Sequence, residues 1–131
     1  MENFDDSQDL NILLVDDNHD LVTTTAILLK LHGFKVVMCS DGKECIEAAQ
    51  ELKPDVIITD IEMPVMDGVT ACNFIRQQSW GKQIPIIALS GNVEILSDDP
   101  PGKSCFDALL RKPAQFEDLI RTIWKTVKAK R

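Results

Sequence analysis

Tyrosine is absent, and phenylalanine and tryptophan together supply only 5% of the chain. Trp80 and Trp124 read as loop-packing and core residues rather than as platforms for a stacked ligand. The four cysteines, Cys39, Cys45, Cys72 and Cys105, are scattered, with no C-x-x-C pair. Zinc sites and redox dithiol motifs gather their ligands through close spacing, so neither is expected, and the thiols are read as reduced and mostly buried. His19 and His32 are not clustered and are read as solvated. Positive charge is also scarce: 14 Lys and Arg against 21 Asp and Glu give a net charge of −7. A duplex-binding domain carries a basic stripe, so direct nucleic-acid binding is not expected. No apolar run approaches the ~20 residues of a membrane span, and the acidic amino terminus lacks the pattern of a signal peptide. The expected location is cytoplasmic.

What is present suffices for a packed core. Hydrophobic residues make up 44% of 131 residues, a length that usually folds as one domain. Residues 1–9 hold Glu2, Asp5, Asp6 and Asp9 with little apolar material, and read as a disordered acidic leader before a domain over 10–131. Short apolar runs follow at Ile12–Val15, Val36–Cys39, Val56–Thr59, Ile84–Leu89 and Ala108–Leu110. All but the last are rich in Val and Ile and apolar on both faces, as strands buried between helical layers are.

Helix-period segments lie between these runs. Leu21, Thr25, Leu28 and Leu29 predict a first helix that Gly33 ends. Cys45, Ala48, Ala49 and Leu52 predict a second, stopped before Pro54. Val69, Cys72 and Ile75 predict a third after Gly68. Phe116, Leu119, Ile120, Ile123, Trp124 and Val127 form the apolar stripe of the last. Lys125, Lys128, Lys130 and Arg131 at its end suit the helix dipole. This alternation implies an α/β fold with a parallel sheet covered by helices on both faces. The rhythm breaks between the fourth and fifth strands, where Pro100, Pro101 and Gly102 forbid a long helix. A short turn around residues 93–98 is the most expected there, so the fourth helix is short or broken.

The chemistry stands at strand ends. Asp16 and Asp17 follow the first strand, and Asp60 ends the third. In an open parallel sheet, ligands bind beyond the carboxyl ends of the strands, where strand order reverses. If the first and third strands are neighbours there, three carboxylates converge, and two unit charges 4 Å apart repel by ~4 kcal/mol at an effective dielectric near 20. A cation is needed to balance them. Oxygen-only ligands with water select a hard ion, and Mg²⁺ suits the site better than a full Ca²⁺ cage, with Mn²⁺ an alternative. Ser90 ends the fourth strand, and Lys112 follows the fifth. Three carboxylates, one divalent cation and one lysine sum to zero, a balance that admits a phosphoryl group.

These residues resemble the response-regulator receiver domains of two-component signalling. The resemblance covers about residues 10–130. It rests on Asp16-Asp17, on Asp60 followed by Met63-Pro64-Val65-Met66-Asp67-Gly68, on Ser90 and on Lys112-Pro113. The resemblance implies a doubly wound, flavodoxin-like five-stranded sheet in the order 2-1-3-4-5, the strand order for which a member of this family serves as a standard example. It implies that Asp60 takes a phosphoryl group from a phosphohistidine, so a sensor histidine kinase or histidine phosphotransfer protein is the expected donor. Asp17 and Asp60 would ligate Mg²⁺ directly, Asp16 through water, and Glu62 through its backbone carbonyl. Lys112 and Ser90 would contact the phosphoryl oxygens. Glu62 and Asn92 match positions expected to set the dephosphorylation rate. Such a domain is no conventional enzyme; it catalyses its own phosphorylation and dephosphorylation, then switches conformation toward an output partner, as a monomer or as a phosphorylation-dependent dimer.

The bland alternatives are that Asp16 only caps the next helix, as Asn18 or Asp20 can, that Ser90 is a turn hydroxyl and that Lys112 is a solvated strand-end charge. Two departures stand out. Leu109 occupies the position three before the lysine where an aromatic residue is usual, with Phe106 nearby, and the interrupted segment replaces a regular fourth helix. Output is therefore expected to run through ordering or disordering of residues 91–106. Competing readings are a degenerate receiver used only for interaction and an aspartyl-phosphate phosphatase. The phosphatase pattern commonly puts a second acid at the Glu62 position, but with a Thr or Ser following that is missing here. A flavin site is disfavoured because Asp16-Asp17 would repel a phosphate where the fold would bind one. A freestanding protein and a piece of a larger hybrid kinase both stay open.

Overall fold

The structure is a computed structural model that describes residues 10–91 and 105–130. Its strands are β1 (Asn11–Val15), β2 (Lys35–Cys39), β3 (Val56–Asp60), β4 (Ile86–Ser90) and β5 (Ala108–Arg111). Its helices are α1 (His19–Leu31), α2 (Gly42–Leu52), α3 (Gly68–Gln77) and α4 (Phe116–Lys130). All pairings are parallel, in the order β2-β1-β3-β4-β5. The chain runs outward from β1 to β2 and then returns to lay β3 on the other side of β1. That reversal opens a crevice between the carboxyl ends of β1 and β3.

Alternate strand residues feed two cores. Ile12, Leu14, Val56, Ile58 and Ile87 pack with Val22, Ala26 and Leu29 of α1 and Leu119, Ile123 and Val127 of α4. Leu13, Val15, Ile57, Ile86 and Ala88 pack with Cys45 and Ala49 of α2 and Cys72 and Ile75 of α3. Helices thus cover both faces, as the alternation required.

The sheet's edges depart from the apolar pattern. In β2, Val37 and Met38 are 44% and 43% exposed despite their hydrophobicity. β2 is an edge strand, so only one side has a strand neighbour and the helices do not reach over all of it. β4 begins at Ile86, not Ile84, because Pro85 has no N–H to give the ladder and serves it only through its carbonyl, which accepts from Ile57 N at 2.9 Å. The stripe of α1 also shifts. Val22, Ala26 and Leu29 are buried, whereas Leu21 and Leu28 are 41% and 40% exposed. This helix is apolar almost all round, so periodicity alone leaves its inward face undetermined.

The ends of the helices follow local chemistry. Gly33 sits at φ 97°, and Gly33 N and Phe34 N donate to Lys30 O and Leu29 O, which closes α1 in a Schellman turn. Asn18 is the N-cap of α1, its side chain accepting from Leu21 N at 3.0 Å; Asp67 caps α3 in the same way through Thr70 N at 2.7 Å. Trp124 packs against Phe34 with ring centroids 6.0 Å apart, as a core residue should. The acidic leader, Asn92 and the interrupted helix segment with its prolines lie outside the described residues.

One residue ties the amino-terminal side of the sheet together. Arg76, in the last turn of α3, donates to the carbonyls of Cys105, Gly81 and Ile84 at 3.0, 3.0 and 2.7 Å, and to Asp107 Oδ2 at 2.8 Å. Asp107 Oδ2 also accepts from Ile86 N at 2.8 Å, so the pair fixes the starts of β4 and β5. Arg76→Ala strands several of these acceptors, and a cost of about 3 kcal/mol is expected, read as a lower urea midpoint.

Candidate phosphoacceptor site

The register of the sheet brings the site together. Val15 pairs with Thr59, Asp60 with Leu89, and Ser90 with Arg111, so four strands end along one edge. Asp16 follows β1, Asp60 closes β3, Ser90 closes β4, and Lys112 follows β5. Oxygens of Asp16, Asp17 and Asp60 lie within 4.8 Å of one another. Asp16 and Asp60 are buried at 5% and 8% exposure, while Asp17 faces solvent.

Lys112 spans the gap from β5. Its Nζ lies 2.9 Å from Asp16 Oδ2 and 3.1 Å from Asp60 Oδ2, and its backbone N donates to Ser90 O at 2.9 Å. The lysine is therefore no solvated strand-end charge. Asp16 also accepts from Asn18 N through Oδ1 at 2.9 Å, so both of its oxygens are engaged within the protein. Burial pushes the Asp60 carboxyl above its ordinary range; Lys112 opposes this by charge and hydrogen bond, and Asp16 adds to it. Burial also weighs most on Lys112 and acts to lower it, yet the contacts with Asp16 and Asp60 together leave it raised.

One ammonium against three carboxylates leaves a formal excess of two negative charges. The donor set is all oxygen, part buried and part open to water, which fits a hard divalent cation. Ser90 is buried at 1% exposure at the end of the strand beside Asp60. Glu62 is exposed, two residues beyond Asp60, and its carboxylate is not one of the three that gather.

Two features that hold Asp60 in place escaped the sequence. The buried Thr59 hydroxyl donates to the Asp60 carbonyl at 2.9 Å. Gly42, the first residue of α2, donates its N–H to Met66 O at 2.9 Å, and a Cβ there would lie 2.5 Å from that oxygen. Gly42 thus buttresses the loop after Asp60, a role that a glycine opening a helix does not advertise. Gly68 opens α3 at a close approach to the end of β3: its N–H donates to Ile61 O at 2.7 Å, and an added Cβ would stand 2.3 Å from the Asp60 carbonyl. In the same loop Val65 takes φ 69°, with Met66 N donating to Pro64 O at 2.7 Å in a γ-turn. Gly68→Ala is expected to cost roughly 2–4 kcal/mol in chemical denaturation, because the obstructing atom is backbone and cannot swing away.

With this geometry in view, the family model described as the response regulator receiver domain matches residues 12–123. The chain belongs to the receiver-domain family. One relative is the alkaline phosphatase synthesis transcriptional regulatory protein PhoP of Bacillus subtilis, 37% identical over 83 residues, which is 63% of this chain and 34% of that protein. Another is the CAI-1 autoinducer sensor kinase/phosphatase CqsS of Vibrio cholerae, 42% identical over 82 residues, 62% of this chain and 12% of that protein. The match thus spans a minor part of both relatives. Among solved structures, the receiver domain of the sensor histidine kinase PA1611 from Pseudomonas aeruginosa aligns with a TM-score of 0.83 at 31% identity, covering 91% of this chain and 98% of that one. That neighbour holds a magnesium ion in its active site cleft. Receiver domains belong to two-component signal transduction, where they interact with histidine kinases or phosphotransfer proteins. The Asp16, Asp17 and Asp60 cluster of this receiver fits a Mg-binding phosphoacceptor site. No helix among the described residues is long and apolar enough to cross a membrane.

Proposed function

We propose that Asp60 is the phosphoacceptor of this receiver and that it takes its phosphoryl group from a phosphohistidine on a sensor histidine kinase or a histidine phosphotransfer protein. The observation that carries this reading is the Lys112 ammonium held against Asp60 inside a cluster of three carboxylates. An Asp60 oxygen forms a bond to phosphorus as the phosphorus–nitrogen bond to the donor imidazole breaks, leaving an acyl phosphate. Lys112 lies 3.1 Å from Asp60 Oδ2 and would meet the oxygens that gain charge, and Ser90, on the adjacent strand end, would donate to the phosphoryl group once it has arrived.

Asp17 and Asp60 would hold Mg²⁺, or Mn²⁺, directly, with the Glu62 backbone carbonyl as a further ligand. Asp16, its oxygens committed to Lys112 and Asn18, would act through water. The bound cation would supply charge neutralisation for the transferring oxygens. The side chains of Glu62 and Asn92 flank this site in the proposal and tune the lifetime of the acyl phosphate. A single cytoplasmic receiver over residues 10–131, with an acidic leader before it, then alters its surface for an unidentified output partner, as a monomer or as a phosphorylation-dependent dimer.

Incubation with acetyl phosphate and Mg²⁺ followed by intact mass tests this. One phosphoryl adduct is expected, absent when EDTA is present. An unmodified chain under these conditions would return the protein to an interaction module, and turnover of unrelated phosphomonoesters would make it a phosphatase.

A further inference from the structure

Helix α2 opens on Asp41-Gly42-Lys43-Glu44, and its own side chains fix that first turn. Asp41 Oδ1 accepts from Glu44 N at 2.8 Å, while Glu44 Oε1 accepts from Ser40 N at 2.8 Å and from the Ser40 hydroxyl at 3.0 Å. This is a reciprocal capping box, and Cys45 and Ala49 bury the next turns in the core. The start of the helix is therefore held on both sides of Gly42. The Gly42 N–H is one of the donors that a helix leaves without an internal partner. It is spent on a different loop, 2.9 Å from Met66 O.

That loop is short and closed on itself. Gly68 N donates to Ile61 O at 2.7 Å, which joins its two ends, and Ile61 N donates to Leu89 O at 3.2 Å, which ties it to β4. At the tip, Val65 is 79% exposed, so it gains little from packing, and the hydrogen bond from Gly42 ties the neighbouring Met66 to the body of the domain. Gly42 does not take a positive φ, so its backbone conformation does not call for glycine. The close approach does. A Cβ there would lie 2.5 Å from Met66 O and 3.0 Å from both Asp67 O and Met66 Cγ. Two of these three atoms are backbone and cannot swing aside. Opening the shortest contact to 3.0 Å, below which Cβ contacts essentially never fall, displaces the loop against the helix by at least ~0.5 Å. With the helix capped and buried, the loop is the part that yields.

We infer that Gly42 is a positioning residue for the metal side of the phosphoacceptor site: through Met66 it sets where the Glu62 carbonyl stands, without itself touching cation or phosphoryl group. This rests on the proposed reading of that carbonyl as a Mg²⁺ ligand. Mg²⁺ demands near-octahedral ligands at about 2.0–2.1 Å, and half an ångström is a quarter of that length. A loop pinned at Ile61 and Gly68 has little slack to absorb such a shift between Glu62 and Met66. Asp60 belongs to β3, and Asp17 lies outside the loop, so both carboxylates stay in place when it moves. Losing a well-placed supporting contact of this kind typically costs 10–100-fold in metal affinity.

The test compares the full-length parent, Gly42→Ala and Gly81→Ala by Mg²⁺ titration calorimetry, at a temperature where circular dichroism shows all three folded. Gly81 precedes β4 at the opposite end of the sheet, where an added Cβ would meet Ile75 O at 2.2 Å. Its replacement therefore strains backbone to a similar degree far from the acidic cluster. Both variants should lower the urea midpoint. Gly42→Ala should bind Mg²⁺ roughly 10-fold more weakly than the parent, and Gly81→Ala within about 2-fold of it. Adduct formation from acetyl phosphate should slow in Gly42→Ala at limiting Mg²⁺ and recover toward the parent rate at saturating Mg²⁺. If Gly42→Ala does not fold alone, it is made on Val65→Gly, which relieves the positive φ of 69°, and compared with Val65→Gly itself. Parental Mg²⁺ affinity in the Gly42 variant would make the glycine a stability residue and overturn the inference. Equal weakening in Gly81→Ala would overturn it too, by tracing the loss to general softening. A parent that binds no Mg²⁺ would instead sink the metal reading, and this inference with it.

Discussion

Asp60→Asn is expected to yield a protein that takes no phosphoryl adduct yet melts higher than its parent in metal-free buffer. The two effects have one origin. Asp60 is 8% exposed, and burial, with Asp16 behind it, raises its carboxyl despite the opposing Lys112. A carboxyl raised by folding is a carboxylate disfavoured by folding. That penalty is absent at pH values below the unfolded value and fully present above the folded one, hence at neutral pH. Asparagine keeps the shape and an acceptor oxygen for Lys112 but carries no charge. The gain should be on the order of 1 kcal/mol, or about 4 °C in Tm by calorimetry in EDTA. A lower Tm would mean that attraction to Lys112 outweighs the crowding of the acids. The loss of the adduct should be complete by intact mass; an adduct retained on the asparagine variant would move the nucleophile elsewhere.

That tension explains why the site was the most legible part of the sequence. Adjacent Asp16 and Asp17, with Asp60 at a distant strand end, make no sense as packing and good sense as cation ligands, so charge alone points to the chemistry. The parallel sheet was legible because runs such as Val56–Thr59 are apolar on both faces, which few other settings tolerate. The same rule misjudged β2, where Val37 and Met38 are apolar yet exposed, because strand composition does not say which strands lie at an edge. The inward face of α1 was lost for a related reason: a helix with apolar residues on every side has no preferred direction until its neighbours are placed. Gly42 and Thr59 left no signal because their work is contact with backbone brought from elsewhere in the chain. The interrupted segment, Asn92 and the expectation that output runs through residues 91–106 fall largely outside the described residues. Leu109 is described: half-buried, it packs with the core cluster that contains Cys72 and Phe106.

Lys112→Ala should separate the two jobs proposed for one ammonium at this site. Without it, Asp16 and Asp60 lose contacts of 2.9 and 3.1 Å, and two buried carboxylates face each other uncompensated. Breaking such a pair from one side costs about 3 kcal/mol when, as here, the lysine is only partly shielded from water. Tm in EDTA should therefore fall, opposite in sign to Asp60→Asn. The backbone should hold, because Lys112 N–H to Ser90 O is independent of the side chain. The acidic cluster then carries one more negative charge, so Mg²⁺ should bind more tightly in titration calorimetry and recover part of the lost stability. Adduct formation from acetyl phosphate should nonetheless slow by roughly 10²–10³-fold, because in the proposed transfer that charge serves the transferring oxygens as well as the resting carboxylates. Tighter metal binding with slower transfer assigns Lys112 to the reaction. If metal binding and transfer were lost together, the lysine would instead be the strut that keeps the acids in register, and the collapse would be visible as a Tm that Mg²⁺ no longer raises.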